Sequence, residues 1–221
     1  MLFRSAPTEG VLASDGSQGI AVSVDTTGLE PGVHRAMVVI LTNDPDHGFI
    51  QVPITLIIPS YQQGVNAGGG SVVNANGDLF TADRAFAGGP FGYLGASSAR
   101  STRAAIDGTV EDRLYQDMRH GMTGYRFAVP EGRYRVDLGF AEIVARKAGA
   151  RVFSVAIEGQ SVLSNLDVFA AAGGRNIALD RWFEVDVTDG FLDITFAAQR
   201  GDGSIVNSIL VTEVPPGSSG W

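Results

Sequence analysis

YRFAVPEGRYRVDLGFAEI, residues Tyr125–Ile143, decides the fold class because it contains two strand-like runs on either side of a turn. Apolar residues alternate with polar or small ones before and after PEG, Pro130–Gly132. A period of two indicates a strand with one buried face, and proline and glycine suit the turn between two such strands. The apolar members of the alternation are Tyr125, Phe127, Val129, Tyr134, Val136, Leu138 and Phe140.

The remainder of the second half repeats this pattern at short intervals. Three further alternating runs are Phe153–Ile157, Phe183–Val187 and Leu192–Phe196. No long amphipathic helix interrupts them, and a single helical turn is predicted at Val168–Ala172. Short strands at this spacing predict an all-β protein whose main part is an antiparallel β-sandwich.

The first part of the chain also alternates as strands do, in the runs Ile20–Val24, Ala36–Ile40 and Ile50–Ile58. LEPG, Leu29–Gly32, and NDPDHG, Asn43–Gly48, are typical of turns. Pro53 has no backbone N–H, so we expect it on an edge strand or at a bulge. Three or four strands are too few for a complete sandwich. The predicted organisation is a partial β unit at 1–59, a linker at 60–64, a larger β domain at 65–214 and a flexible tail at 215–221.

Composition excludes several classes of function. The hydrophobic fraction of 44% and the charged fraction of 18% are those of a folded globular chain. A net charge of −8 argues against a nucleic-acid partner, whose phosphates are bound by basic side chains. The absence of cysteine excludes disulfides, thiolate metal sites and cysteine nucleophiles, and leaves the cellular compartment open. We expect no membrane span, because no run approaches about 18 apolar residues.

A series of motifs in fixed order runs through the second half. They are VNAGGG (Val65–Gly70), GDLFTAD (Gly77–Asp83), LYQDMRHG (Leu114–Gly121), YRFAVPEGRYRVDLGFAEI, GARVFSVAIEG (Gly149–Gly159), VLSNLDVFAAAGG (Val162–Gly174) and DGFLDITF (Asp189–Phe196). Together they resemble a malectin domain from about Val65 to Val214. The resemblance implies a jelly-roll-like, lectin-type β-sandwich that binds glucan or other glycan ends without hydrolysing them.

The first unit resembles the C-terminal part of an immunoglobulin-like bacterial surface repeat of the BACON type. The resemblance lies in PTEG (Pro7–Gly10), SVDTTGLEPGVHRAMVVILTNDPD (Ser23–Asp46) and VPITLII (Val52–Ile58). It implies an extracellular or cell-surface bacterial protein in which this chain is one piece of a larger multidomain polypeptide.

The malectin resemblance also implies a sugar site on loops at one end of the sandwich. Tyr93 matches a family tyrosine after a glycine-rich loop, and His120 stands where the family often has another tyrosine. Asp202 matches the acidic residue before the closing strand, whereas Val144 and Ala145 replace a frequent aromatic pair. Aromatic rings stack on the C–H faces of a pyranose and a carboxylate orients its hydroxyls. With so few aromatics we expect weak binding, around millimolar or about 4 kcal/mol.

Three further residues are weaker candidates for sugar contact. Gln116 and Arg119 lie in LYQDMRHG, where a solvated or turn-bonding role is the alternative. Glu142 follows a buried run, and its alternative role is to accept backbone hydrogen bonds at a strand end. Leu114 and Tyr115, from the same LYQDMRHG motif, are expected to pack inward.

Other readings of the polar motifs are less well supported. Asp117, Arg119 and His120 have the side chains of acid–base catalysis, but no spacing brings partners to one point, so we expect no enzyme. NDPDHG lacks the ligand ladder of a calcium loop, so no cofactor is expected and metal binding is left open. Arg200–Asp202 matches an integrin-type adhesion signal only weakly, because Gly-Asp-Gly is common turn chemistry. The alternative function is a structural or adhesive spacer whose sugar site is degenerate, as the Val144–Ala145 replacement suggests.

Overall fold

The computed structural model describes residues 3–201 and 203–218. These residues form two compact units. The first contains the described residues up to Ser60 together with Pro215–Ser218, and the second is Tyr61–Val214. Strands dominate both units, which confirms the all-β prediction.

The first unit has two separate pairs of antiparallel strands. β1 (Phe3–Ala6) pairs with β2 (Ala21–Val24), and β3 (Gly32–Leu41) pairs with β4 (Phe49–Ile58). Pro53 lies in β4, which has β3 as its single neighbour among the described strands, so the edge-strand prediction for this proline is confirmed. Four strands are fewer than the seven or so of a complete immunoglobulin sandwich, and the immunoglobulin-like character of this unit stays a prediction.

The second unit contains the remaining strands and both short helices. The strands are β5 (Gln62–Asn66), β6 (Val72–Val73), β7 (Leu79–Ala82), β8 (Phe91–Leu94), β9 (Ser98–Ser101), β10 (Asp117–His120), β11 (Gly124–Ala128), β12 (Gly132–Ala141), β13 (Val152–Ile157), β14 (Gln160–Leu166), β15 (Ala178–Val187), β16 (Phe191–Arg200), β17 (Ile205–Val206) and β18 (Ser208–Glu213). A 3₁₀ turn covers Asp112–Leu114 and helix α1 covers Val168–Ala172, where the helical turn was predicted.

Two large sheets form a sandwich, and a small third sheet lies beside them. The six-stranded sheet has the order β15-β12-β18-β5-β7-β6 and the five-stranded sheet the order β14-β13-β16-β11-β8. Strands β17, β10 and β9 make the third sheet. All pairs are antiparallel except β5 and β7, which are parallel.

The two strands of YRFAVPEGRYRVDLGFAEI are not a hairpin. β11 pairs with β16 and β8 in the five-stranded sheet, whereas β12 pairs with β15 and β18 in the six-stranded sheet. The PEG turn therefore carries the chain from one layer of the sandwich to the other. Both alternating rows face the same core, which explains why both strands show the same apolar pattern.

The core between the layers is rich in aromatic rings. Phe127 of β11 stacks on Phe91 with 5.9 Å between ring centroids, and Phe140 of β12 lies 6.1 Å from Phe153. Tyr125 and Tyr134 are also fully buried. Burial of each such side chain stabilises the fold by about 1.5–3 kcal/mol.

Two predicted boundaries differ from the structure. Residues 62–64, predicted as a linker, begin β5, which pairs with β18 from Gln62 to Asn66. This strand is hard to recognise because Gln62-Gln63-Gly64 lacks apolar alternation, and it forms through backbone bonds to a distant partner. The described part of the predicted tail is a turn in which Ser218 N–H bonds to Pro215 O, and Arg35 donates to Gly217 O at 3.0 Å.

Asn207 connects LYQDMRHG to the six-stranded sheet. This fully buried side chain donates from Nδ2 to the carbonyls of Tyr115 and Asp117, each at 2.8 Å, and its Oδ1 accepts from Ala141 N at 2.7 Å. The segment that enters the candidate site is therefore fixed to β12 by one amide.

We expect Asn207→Ala to lower the free energy of unfolding of the second unit by about 3 kcal/mol, because buried backbone groups lose their partners. Asn76→Ala, an exposed asparagine of the same unit, should change it by less than about 0.5 kcal/mol. Urea unfolding followed by circular dichroism measures both. Equal effects of the two substitutions would contradict the role given to Asn207.

Candidate functional site

The first two residues of LYQDMRHG are buried and stabilise the fold. Leu114 is 5% exposed and Tyr115 7%, as predicted. The Tyr115 hydroxyl donates to Asp180 of β15. Its ring lies against Gly139, where an added Cβ would come within 3.0 Å of Tyr115 Cε1. Gly139 alternates with the core residues of β12, so Tyr115 packs on the outer face of the six-stranded sheet.

Strand β10 separates two candidates of the motif, Arg119 and His120. Arg119 and His120 are neighbours in the strand, so their side chains leave on opposite faces. The ring Nδ1 of His120 lies 3.3 Å from Ser98 Oγ of β9. Backbone pairing joins His120 to Ile205 of β17, next to the loop that contains Asp202. His120 is therefore held beside that loop, and Arg119 points elsewhere.

Arg119 points to Asp83, the last residue of GDLFTAD. The Asp83 side chain is 1% exposed, and its Oδ2 accepts hydrogen bonds from Arg119 Nε at 2.7 Å, Gly68 N at 2.6 Å and Tyr125 Oη at 3.1 Å. Burial alone would lower the pKa of Arg119, but the hydrogen bond to Asp83 raises it above its ordinary value. Burial raises the pKa of Tyr125 well above its ordinary value, so this phenol remains a donor.

Arg119 and Tyr125, which both bond to Asp83, also hold the ring of Tyr93. The guanidinium carbon of Arg119 lies 4.0 Å from the centroid of the Tyr93 ring, which is a cation–π contact. Tyr125 meets the same ring edge-on with 6.4 Å between centroids. Tyr93 is half-buried and fixed in orientation, and Arg119 covers one face of its ring. A ligand can therefore reach only the remaining surface of Tyr93, and Arg119 is committed to bonds within the protein.

Glu142 is buried in an ion pair beneath two loops. It is 1% exposed, and its Oε2 accepts from Arg151 Nε at 2.8 Å. Its Oε1 accepts from the backbone N–H groups of Val144 and Ala145 at 2.9 and 2.8 Å. Arg151 donates onward to Gly203 O at 3.0 Å. The ion pair thus fastens the Val144–Ala145 loop to the loop before β17. Glu142 accepts backbone hydrogen bonds at the end of a strand, which was the alternative to sugar contact for this residue.

The loop before β17 also contacts the end of β10. Gly121 N–H donates to Ser204 O at 2.9 Å, and an added Cβ on Gly203 would lie 3.1 Å from Gly121 Cα. Gly201 and Gly203 both have positive φ, at 80° and 93°. Asp202 itself lies outside the described residues. Three loops, those of Gly121, Val144–Ala145 and Gly203, therefore meet at one end of the sandwich, which we call the loop end.

Gln116 does not lie at the loop end. Its Nε2 donates to Ala104 O at 2.9 Å, and the side chain lines a cavity of about 130 Å³. Asp117, the first residue of β10, lines this cavity, and His120 is the last residue of the same strand. At a rise of about 3.4 Å per residue, the two residues are about 10 Å apart. The cavity lining is Asn66, Gly70, Ser71, Val72, Thr102, Arg113, Gln116 and Asp117.

Sequence reasoning missed the residues that hold the candidates in place. Asp83 and Arg151 were inside quoted motifs, but nothing in the sequence showed that they pair with Arg119 and Glu142. In residues 3–201 and 203–218 no group of three or more histidine, aspartate or glutamate side chains could hold a metal ion. No helix within these ranges has the length and apolar character needed to cross a bilayer.

Comparison with known proteins identifies the second unit. The family model described as the malectin domain matches residues 61–215. Malectin of Mus musculus is 31% identical over 159 residues, which cover 69% of this chain and 50% of that protein. Malectin-B of Xenopus laevis is 29% identical over 136 residues, covering 59% and 47% respectively. The chain thus spans about half the length of the curated relatives it matches.

Solved structures share the fold at lower identity. A Bacteroides uniformis β-glucuronidase has a TM-score of 0.64 and 20% identity, over 88% of this chain and 24% of that enzyme. The plant receptor-like kinase FER has a TM-score of 0.58 and 23% identity, over 72% of this chain and 44% of its own. These likenesses show the fold alone. The family model covers 155 of the 221 residues, and by this match the chain belongs to the malectin family.

Proposed function

We propose that the second unit binds carbohydrate without catalysing a reaction, through Tyr93 and the loop end. The observation that carries the proposal is the fixed orientation of Tyr93, stacked by Arg119 and contacted edge-on by Tyr125. An aromatic ring already held in place loses little conformational entropy when a sugar stacks on it. Family membership supports the same class of ligand.

The proposed contacts and supports have different roles. Tyr93 and His120 offer ring surface, and Asp202 would accept hydrogen bonds from sugar hydroxyls. Arg119 and Glu142 are positioning residues, because their charged groups already bond to Asp83 and Arg151. The contact area is small, so the affinity expected is around millimolar.

The buried carboxylates support a non-catalytic role. Glycoside hydrolysis uses two carboxyl groups that face the scissile bond about 5–9.5 Å apart. Among the described residues, Asp83 bonds to the arginine that covers Tyr93 and Glu142 lies beneath the loop end, and each is 1% exposed and paired with an arginine. Neither can reach a bound sugar without breaking its ion pair.

The biological setting proposed for the chain follows from the two resemblances. We infer an extracellular or cell-surface bacterial protein in which the module attaches a longer polypeptide to a glucose-containing glycan. We also infer that the first unit is the C-terminal part of an immunoglobulin-like repeat.

Sugar binding is tested by titration with maltose and nigerose. We expect Tyr93→Ala and His120→Ala each to weaken binding about tenfold, since the lost stacking is worth roughly 1–1.5 kcal/mol. Trp182→Ala is the matched control, because Trp182 also carries a stacked arginine, with the Arg135 guanidinium 4.9 Å from its ring, on β15. Isothermal calorimetry or NMR shift titration measures all three variants.

The alternative function, a spacer with a degenerate sugar site, predicts a different result. It is favoured by Val144, an exposed aliphatic residue in place of an aromatic one, and by Arg119 covering one face of Tyr93. A folded protein that shows no shift with either disaccharide at high millimolar concentration would support the spacer. Binding that survives both Tyr93→Ala and His120→Ala would instead overturn the site assignment.

A further inference from the structure

The cavity beside Gln116 has the features of a second binding site. It lies where β5, the loop after it and the start of β10 meet, about 10 Å along β10 from His120. Its volume of about 130 Å³ equals roughly four water molecules, which is enough for part of one sugar ring. Neither Tyr93 nor His120 lines it.

Asn66 gives the cavity a buried polar wall. The residue is 1% exposed, and its Nδ2 donates to Gly70 O at 2.8 Å and lies 3.5 Å from Asp117 Oδ2. Its Oδ1 is buried without a hydrogen-bond partner among the described residues. A buried amide oxygen left in this way costs free energy, which a hydroxyl donor brought to it by a ligand would recover.

The rest of the lining combines acceptors with donors. Asp117 contributes a half-exposed carboxylate, whereas Gln116 contributes an amide and Thr102 a hydroxyl. Arg113, which is exposed, lies at the same cavity with its guanidinium group. A sugar hydroxyl both donates and accepts, so it can use both kinds of group at once.

Other ligand classes fit this lining less well. Asp117 offsets the attraction of Arg113 for an anion, and Arg113 disfavours a metal ion for which the cavity offers only one carboxylate. Val72 is the single large aliphatic residue of the lining, so an apolar ligand would leave the polar groups unsatisfied. A neutral compound with several hydroxyl groups satisfies the whole set.

We propose that this cavity is a second carbohydrate subsite, in which Asp117 and Asn66 accept hydrogen bonds from sugar hydroxyls and Gln116 and Thr102 donate to them. The proposal rests on the proposed function, since it assigns a further position to the same class of ligand. It is separate from the loop end, so each position is testable without the other.

The test is an NMR titration of the full chain with glucose and with maltose, reading backbone amide shifts at both positions. We expect shifts at Thr102 and Gln116 as well as at Tyr93 and His120. Asp117→Asn keeps the size of the side chain and removes its charge, and should weaken binding at the cavity about tenfold while leaving the loop end unchanged. Asp112→Asn, a neighbouring acidic residue outside the cavity lining, is the matched control.

The outcomes separate the two proposals. Shifts confined to Tyr93 and His120 overturn the cavity subsite and leave the proposed function intact. Shifts confined to Thr102 and Gln116 support the subsite and overturn the loop-end assignment. No shifts at either position, in a protein that remains folded, overturn both. An equal effect of Asp112→Asn and Asp117→Asn also counts against the subsite.

Discussion

Replacing Glu142 with alanine is expected to lower the free energy of unfolding of the second unit by about 3–5 kcal/mol. Its side chain and that of Arg151 are 1% and 4% exposed, so the change leaves a buried guanidinium without its counter-charge. The backbone N–H groups of Val144 and Ala145 also lose their acceptor. Differential scanning calorimetry of the full chain measures the loss.

A more exposed ion pair, between β12 and β15, provides the control. Arg133 and Glu184 are 58% and 19% exposed, and Glu184→Ala should cost at most about 1 kcal/mol. The double variant Glu142→Leu with Arg151→Met should be more stable than Glu142→Ala alone, because neither charge is then buried without a partner. If Glu142→Ala costs no more than Glu184→Ala, the pair does not fasten the loop end.

Asp83→Ala should have an effect of similar size, about 3–5 kcal/mol, for a related reason. One Asp83 oxygen accepts from three donors, and its removal leaves Arg119, Tyr125 and the Gly68 N–H unpaired beneath the surface. Unlike Glu142, Asp83 also fixes Arg119 against Tyr93. We therefore expect sugar binding to weaken at temperatures where the variant is still folded.

Two comparisons make the Asp83 prediction specific. Asp193 forms a two-bond pair with Arg126, and the two side chains are 31% and 37% exposed, so Asp193→Ala should cost about 1 kcal/mol or less. The double variant Asp83→Ala with Arg119→Met should recover part of the lost stability but not the sugar binding. Thermal unfolding measures the change in stability, and a maltose titration of the same samples measures the change in sugar binding. Undiminished binding in folded Asp83→Ala would show that Tyr93 needs no such support.

Much of the fold could be predicted because strand periodicity is local. The alternation in Tyr125–Ile143 predicted both strands, and the short run at Val168–Ala172 predicted the helix, which the structure places over the same residues. Leu114 and Tyr115, which were expected to pack inward, are both buried, with Tyr115 on the outer face of the six-stranded sheet. The family was recognisable from the order of the motifs, and the match over residues 61–215 confirms it.

The candidate site was predictable only in part. The resemblance named Tyr93, His120 and Asp202 as contacts, and these stay predictions until sugar is titrated. Gln116, named with them, lies at the cavity instead.

The sequence by itself determined the class of structure and the family. The alternation of apolar and polar residues and the order of the motifs can both be recognised along the chain without knowing which distant residues meet. Only the tertiary structure decided that β11 and β12 belong to opposite layers, since a turn of given composition serves either arrangement. Only the tertiary structure paired Asp83 with Arg119, 36 residues apart, and turned Glu142 toward Arg151. Such pairs form where backbone pairing brings distant strands together, and nothing in the residues flanking either partner specifies the other.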